Sequence, residues 1–464
     1  MTETLTSVAI QQVKVYTEQL QRGMFVSRLD RPWTHTPFAL QGFYIRDLEE
    51  VRQLQKYCRY VYVDITKTVG DVGASLRRLS RLNAGGDREP VAASSRNRTK
   101  VPALIPCRPV QVSHQAYPPP VAARKAAPRA RRLLRQLEAC LHEVMVQVSS
   151  QGPLPIPQVT AVVEELVDNV LRSPDAAAWL ARVREKDEYT YKHSMRSGIW
   201  AVIFGRHIGL GRHELVQLGL ACLLKDVGKL QLDDRVLRAG RRNAKVEREY
   251  RRFVDYSVKL LSTEPRLDPQ VVNIVHCHCE RHDGSGFPRG LRGDKIPVLA
   301  RMCGIVTFYD EATNPRSEAF PVAPSRAVAQ LYDLRGIGFQ EQLVVEFIQA
   351  IGLYPTGTEV ELSTGEVAVV VEQTYHHRLR PRVMVVLDRD GQALPKPRLL
   401  DLAVDDDRKQ RLIERGKLGP NDKITIVQDL EPSRYPGVDV AAIRDHYLLK
   451  DGGIAAVFTR LFSR

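Results

Sequence analysis

Residues His276-Cys277-His278-Cys279-Glu280-Arg281-His282-Asp283 put three imidazoles, two thiols and two carboxylates into eight consecutive positions. These are metal donors: imidazole suits zinc and iron, thiolate selects zinc, and carboxylate suits manganese. On a continuing helix His278 and His282 stand at i, i+4 on one face and could hold an ion together. A mononuclear zinc site drawn from His276, Cys277, His278, Cys279 and His282 is therefore one reading. Cys277 and Cys279 fall off the His278–His282 face, which argues against a compact tetrahedral site. Directly afterwards Asp283-Gly284-Ser285-Gly286-Phe287-Pro288 breaks into a turn. Two other places carry chemistry of the same kind, His193 and the run Lys225-Asp226-Val227-Gly228-Lys229.

Helices must bring these groups together, because no one motif supplies enough ligands. From about residue 131 to 350 apolar residues recur at helical spacing. Leu133, Leu134, Leu137, Leu141, Val144 and Val148 share one face, and Val159, Val162, Val163, Leu166, Val170 and Leu171 make a second helix. Further helices are expected over about 189–208, 212–225, 247–261, 268–280, 298–309 and 339–351. The first of these carries His193, the second ends at Lys225, and the fourth delivers His278 and Cys279.

The periodicity differs on either side. Val13 and Val15, Gly23 to Asp30 and Tyr60 to Asp64 read as strands, with a helix between 47 and 58, so residues 1–68 form a small α+β domain. Residues 69–130 are basic and rich in Pro, Ala and Gly, and are expected to be a flexible linker. The helical domain spans 131–353. Alternating apolar residues with a Ser363-Thr364-Gly365 turn predict a β-hairpin tail over 354–404, and 405–464 is an extension with no recognisable chemistry. The fold class expected is mainly α, flanked by an α+β N-terminal domain and a short β-rich tail.

The order His278-Cys279-Glu280-x-x-Asp283-Gly284-Ser285-Gly286-Phe287-Pro288 resembles H-H-E-x-x-D-G-S-G-Y-P, the signature of the HD-GYP family of cyclic di-GMP phosphodiesterases. Asp187-Glu188-Tyr189-Thr190-Tyr191-Lys192-His193-Ser194 is similar to the family's D-x-Y-T-x-x-H-S, and Met24-Phe25-Val26 with Arg31-Pro32-Trp33 and Gln41-Gly42-Phe43 to the uncharacterised domain that often precedes it. The resemblance runs from Val13 to about Leu402 and implies an HD-domain helical bundle. It also implies a metal centre of iron, manganese or zinc that makes a hydroxide nucleophile and neutralises phosphate oxygens.

Carried over position by position, His193, Asp226 and His278 match metal ligands, and Lys229 matches the catalytic-type lysine, here a vestige. Four ligand positions are changed: Lys225 stands for the histidine of H-D, Asp255 and Cys279 for histidines, and Thr307 for an aspartate. An ammonium cannot ligate a metal and repels it, and a hydroxyl is a weak substitute for a carboxylate. The resemblance further marks Arg281, Gly286, Phe287, Pro288 and Arg316 as nucleotide-facing. The expectation is a degenerate member with no metal cofactor, serving as a cyclic di-GMP receptor or as a scaffold for partners such as a diguanylate cyclase (GGDEF-type). The alternative is a cyclic di-GMP phosphodiesterase with a remodelled iron, manganese or zinc site on His193, Asp226, Asp255, His278 and Cys279.

Charge bears on partners and cysteine count on compartment. The chain carries a net charge of +14, but thirteen basic residues against two acidic ones fall between Leu76 and Arg132. That stretch has one aromatic, Tyr117, so a single-strand stacking platform, and with it a nucleic-acid partner, is disfavoured. Seven cysteines without framework spacing, and no long apolar run or signal segment, lead to a cytoplasmic expectation.

Overall fold

The computed structural model describes residues 12–30, 43–45, 48–64, 107–181, 189–239, 242–316, 321–373, 380–405, 424–431, 434–435 and 437–449. They belong to two compact units, Met1–Val101 and Pro102–Arg464. In the first, β1 (Gln12–Tyr16), β2 (Phe25–Leu29), β3 (Phe43–Tyr44) and β4 (Tyr60–Asp64) form an antiparallel sheet in the order β1-β4-β2-β3. Val15 pairs with Val61 and Val13 with Val63, so alternate residues turn to one face. Val51 and Leu54 of α1 (Leu48–Tyr57) join that core. Arg31-Pro32-Trp33 and Gln41-Gly42, which carry part of the resemblance, lie outside the described residues, as do Asp187 and Glu188.

The second unit opens with a strap, residues 107–122, followed by α2 (Ala123–Ser150), α3 (Ile156–Arg172), α4 (Pro174–Leu180), α5 (Tyr189–Ile208) and α6 (Arg212–Leu224). A 3₁₀ turn (Val227–Gln231), α7 (Asp234–Arg238), α8 (Ala244–Arg251), α9 (Phe253–Ser262) and α10 (Pro269–Cys277) come next, then α11 (Val298–Thr313), α12 (Pro324–Asp333) and α13 (Glu341–Ile351). Helix α6 is buried on every side from Leu215 to Leu224, and α11 from Met302 to Thr307, so they form the bundle's centre beside α5. N-caps fix several starts: Asp268 accepts from Gln270 N–H at 2.8 Å, with Pro269 opening α10.

Three boundaries differ from expectation. Composition extends the linker to residue 130, but α2 begins at Ala123, where Ala123, Ala126, Ala127 and Ala130 repeat at helical spacing and are buried. Small residues there allow close helix approach, and packing outweighs the Ala-rich, Pro-containing composition that read as a linker. The helix expected over 247–261 is two helices meeting at Arg252. The expected extension after 405 is part of the β unit: β9 (Ile426–Asp429) is an edge of the sheet β8-β7-β6-β5-β9, with β5 (Glu359–Leu362), β6 (Val367–Glu372), β7 (Arg382–Leu387) and β8 (Ala393–Asp401). Ile443 and Tyr447 of α14 (Val440–Leu449) share a core with β6 and with Trp179, whose Nε1–H donates to Val371 O at 3.0 Å. No helix among the described residues is long and apolar enough to cross a membrane.

Candidate functional site

Four elements converge on a buried polar cluster. Helix α5 supplies His193 and, one turn on, Arg196; the end of α6 and the 3₁₀ turn supply Lys225, Asp226 and Lys229; α11 supplies Asp310. All six side chains are buried. Asp310 accepts from His193 Nδ1 at 2.7 Å and from Arg196 Nε and Nη2 at 2.8 and 3.0 Å. Lys225 Nζ lies 2.9 Å from His193 Nε2 and also bonds Asp226 Oδ2, while Lys229 Nζ lies 2.8 Å from Asp226 Oδ1.

These contacts determine the proton inventory. Burial works against the Lys225 charge, but Asp226 outweighs it and raises the lysine's pKa, so Nζ is an ammonium and can only donate. His193 Nε2 must then accept, leaving the imidazole neutral with its proton on Nδ1, facing Asp310. Desolvation, then Lys225, lowers the His193 pKa and keeps it neutral. Burial disfavours the Asp226 anion, yet Lys225 and Lys229 hold its carboxyl well below the usual range. Asp310 is held at about 2 by Arg196 and His193 despite its burial. The His193 lone pair that could meet a metal is thus already filled by an ammonium proton.

The turn carrying these cations is set by Gly228. A Cβ there would come within 2.2 Å of Phe253 O and 2.4 Å of Ser257 N, and Gly228 N–H donates to Ser257 Oγ at 2.9 Å. Gly228→Ala is expected to cost about 1–3 kcal/mol of stability, read as a lowered urea midpoint; an unchanged midpoint would mean that α9 can move aside freely.

The His276–Pro288 stretch adopts a different geometry from a long helix. Helix α10 ends at Cys277, and Glu280 turns the chain: its buried carboxylate accepts from Arg289 N–H at 2.8 Å and Leu291 N–H at 2.9 Å. Gly286 packs so tightly that a Cβ would come within 2.3 Å of Arg281 N. Phe287, joined to Pro288 by a cis peptide bond, stands edge-on to Phe253 at 6.3 Å with the Arg251 guanidinium over its ring at 4.9 Å. The His278–His282 helical pairing is therefore not realised, since His282 lies beyond the helix and donates its N–H to Gly338 O.

Of the remaining sequence-marked residues, His278 and Cys279 lie within electrostatic reach of Asp226. His278 is buried and bonds Val275 O through Nδ1 at 2.6 Å; desolvation and then Lys225 hold its pKa at about 3. Cys279 Sγ lies 3.3 Å from His278 Nε2, and burial pushes its thiol up to about 12. Asp255 is exposed on α9, because the break at Arg252 resets the helical phase, so the expected carboxylate ligand faces solvent. Thr307 Oγ1 donates to Cys303 O at 2.8 Å within α11. Arg281 sits over the Phe339 ring at 5.0 Å, and Arg316 and Pro288 are exposed. Asp310 and Arg196 were not singled out from sequence; the signal was Arg196 at i+3 from His193, on one helix face. Among the described residues, the group of three metal donors within 4.8 Å of one another is His114, His207 and Glu346, none of them in the cluster above. A cavity of about 300 Å³ lined by Trp200, Thr356, Glu372 and Arg382 also lies apart from the marked residues.

Three family models match in succession: a domain of unknown function (DUF3391) over residues 12–159, an HD domain over 182–338, and a KOW domain associated with HD domains over 359–408. A cyclic di-GMP phosphodiesterase of Pseudomonas aeruginosa is 26% identical over 91% of this chain and 93% of its own length. A 3'3'-cGAMP-specific phosphodiesterase of Vibrio cholerae is 30% identical over 39% of this chain, which spans 33% of that protein. Among solved structures, an HDG"Y"P protein from Bdellovibrio bacteriovorus aligns with a TM-score of 0.40 at 13% identity, covering 73% of this chain and 98% of that one. With the DUF3391, HD and associated KOW models matched in this order, and a cyclic di-GMP phosphodiesterase similar along nearly its whole length, the chain is an HD-domain protein with an N-terminal DUF3391 domain.

Proposed function

We propose that this chain is a cyclic di-GMP signalling protein whose HD domain acts as a receptor or interaction scaffold and not as a hydrolase. The observation that carries this is the Lys225 ammonium between His193 and Asp226. Hydrolysis by an HD centre needs metal ions to make hydroxide and neutralise phosphate oxygens. The residues present do not fit such a centre. Lys225 occupies the His193 lone pair, Asp255 faces outward, and Thr307 is spent on its own helix.

The same cluster favours an anion. Lys225, Lys229 and Arg196 face Asp226 and Asp310, so the buried cluster holds three fixed cations against two carboxylates. With Arg281 and the Glu280-braced loop, that charge suits a dianionic cyclic dinucleotide. A diguanylate cyclase is the partner class that goes with this reading. The remodelled phosphodiesterase has one observation in its favour, the 3.3 Å approach of Cys279 Sγ to His278 Nε2, but Asp255 is too exposed to complete that ligand set.

Calorimetric titration with cyclic di-GMP, paired with hydrolysis assays in Mn²⁺, Fe²⁺ and Zn²⁺, separates the readings. Heat of binding without turnover is the expected result. Turnover that Asp226→Ala abolishes would replace this reading with the remodelled enzyme.

A further inference from the structure

We propose that His114, His207 and Glu346 form a mononuclear zinc site, apart from the HD cluster, that pins the strap to the helical bundle. His114 Nε2 and His207 Nε2 lie 3.0 and 3.2 Å from the same oxygen, Glu346 Oε2, and the three donor atoms are all within 4.8 Å of one another. A tetrahedral zinc with bonds near 2.0–2.1 Å spaces its ligand atoms about 3.3 Å apart. An ion therefore enters with little displacement. The two imidazole centroids are 4.6 Å apart and tilted by 40°, as rings converging on one point are.

The donors come from three separate pieces of chain, each held independently of any ion. His207 is in the last turn of α5, and Glu346 is fully buried on α13. His114 is on the strap, where Ser113 N–H donates to Ile208 O at 2.9 Å. Val110 exchanges two hydrogen bonds with the Gln342 side chain at the start of α13, at 2.8 and 2.9 Å. Arg206 Nη2 donates to Pro118 O at 2.8 Å, and Tyr117 Oη donates to Leu210 O. Gly209, at φ +84°, lets the strap cross the end of α5: a Cβ there would come within 2.4 Å of Ser113 O. Donors fixed on rigid elements make a preorganised site.

Two imidazoles and a carboxylate suit a borderline dication such as zinc better than magnesium or calcium. His114 keeps some exposure, with 18% of its side chain accessible, so water can enter and complete a fourth position. Bound there, the ion would tie the segment arriving from the N-terminal unit to α5, the helix that carries His193 and Arg196. The site shares no residue with the HD cluster, so it stands or falls independently of the function proposed above.

The test uses the full chain, stripped with EDTA, titrated with Zn²⁺ and counted for bound metal, beside His114→Gln, His207→Gln and Cys279→Ser. One zinc per chain is expected, kept by Cys279→Ser and weakened at least roughly 10–100-fold by either His→Gln change, since even loss of an outer-shell partner costs that much. Co²⁺ in the wild-type chain should show tetrahedral d–d absorption with no thiolate charge-transfer band, which decides the matter even if a variant fails to fold. No stoichiometric zinc, zinc indifferent to His114→Gln, or a thiolate band lost in Cys279→Ser would each overturn the site. The last of these would also place metal at Cys279, beside His278.

Discussion

Replacing Asp226 with alanine is expected to lower the unfolding free energy by about 3–5 kcal/mol, while Lys225→Met costs about 1–3 kcal/mol. The asymmetry follows from the charge layout. Asp226 is the carboxylate that Lys225 and Lys229 both touch, so its loss leaves two buried ammonium groups facing each other. Desolvating an unpaired ion is the expensive outcome. Removing Lys225 leaves Asp226 paired with Lys229 at 2.8 Å and deprives only His193 Nε2 and one Asp226 oxygen, Oδ2, of a donor. Urea unfolding of the full chain, followed by circular dichroism, measures both. Equal losses, or an Asp226→Ala chain as stable as the parent, would mean that Asp226 is not the counter-ion of this pair. The test also bears on the site's history: a ligand position retained for metal would tolerate alanine far better than one that neutralises two lysines.

Much of this is legible in the sequence, and the exceptions have physical causes. The helical periodicity placed α5, α6 and α11, and the substitution at Lys225 was visible in the run Lys225-Asp226-Val227-Gly228-Lys229. Phase was lost where a helix ends for a reason not local to it. The stop after Cys277 is enforced by Glu280 capping amides nine and eleven residues away, so spacing alone paired His278 with His282 wrongly. The Arg252 break turned Asp255 outward in the same way. Ala123, Ala126, Ala127 and Ala130 carried a helical stripe, but alanine is also what a low-complexity linker contains, so composition concealed it. His114 was invisible for that reason too, since a histidine in a presumed linker has no partner until tertiary contacts bring Glu346 to it.

Below pH 6.5 the chain is expected to lose stability steeply, and His278→Gln should remove about 1.4 kcal/mol per pH unit from that slope. Unfolded histidine titrates near 6.5, whereas buried His278 is held at about 3 by desolvation and the Lys225 ammonium. Between those values the unfolded chain binds a proton that the native chain refuses, so stability rises with pH and falls as acid is added. His193, also lowered, adds to the slope in the same direction, and so does His282. Asp226 and Asp310 do not confuse the window. Their carboxyls are depressed, so their contribution is intact above the unfolded carboxyl pKa of about 3.9 and is lost only as pH falls further. Urea midpoints between pH 7.5 and 4.5 therefore isolate the imidazoles, and glutamine keeps an amide donor for Val275 O. A slope indifferent to His278→Gln would mean that His278 takes up its proton while folded, and the Lys225 ammonium could not then hold its charge in the same buried cluster.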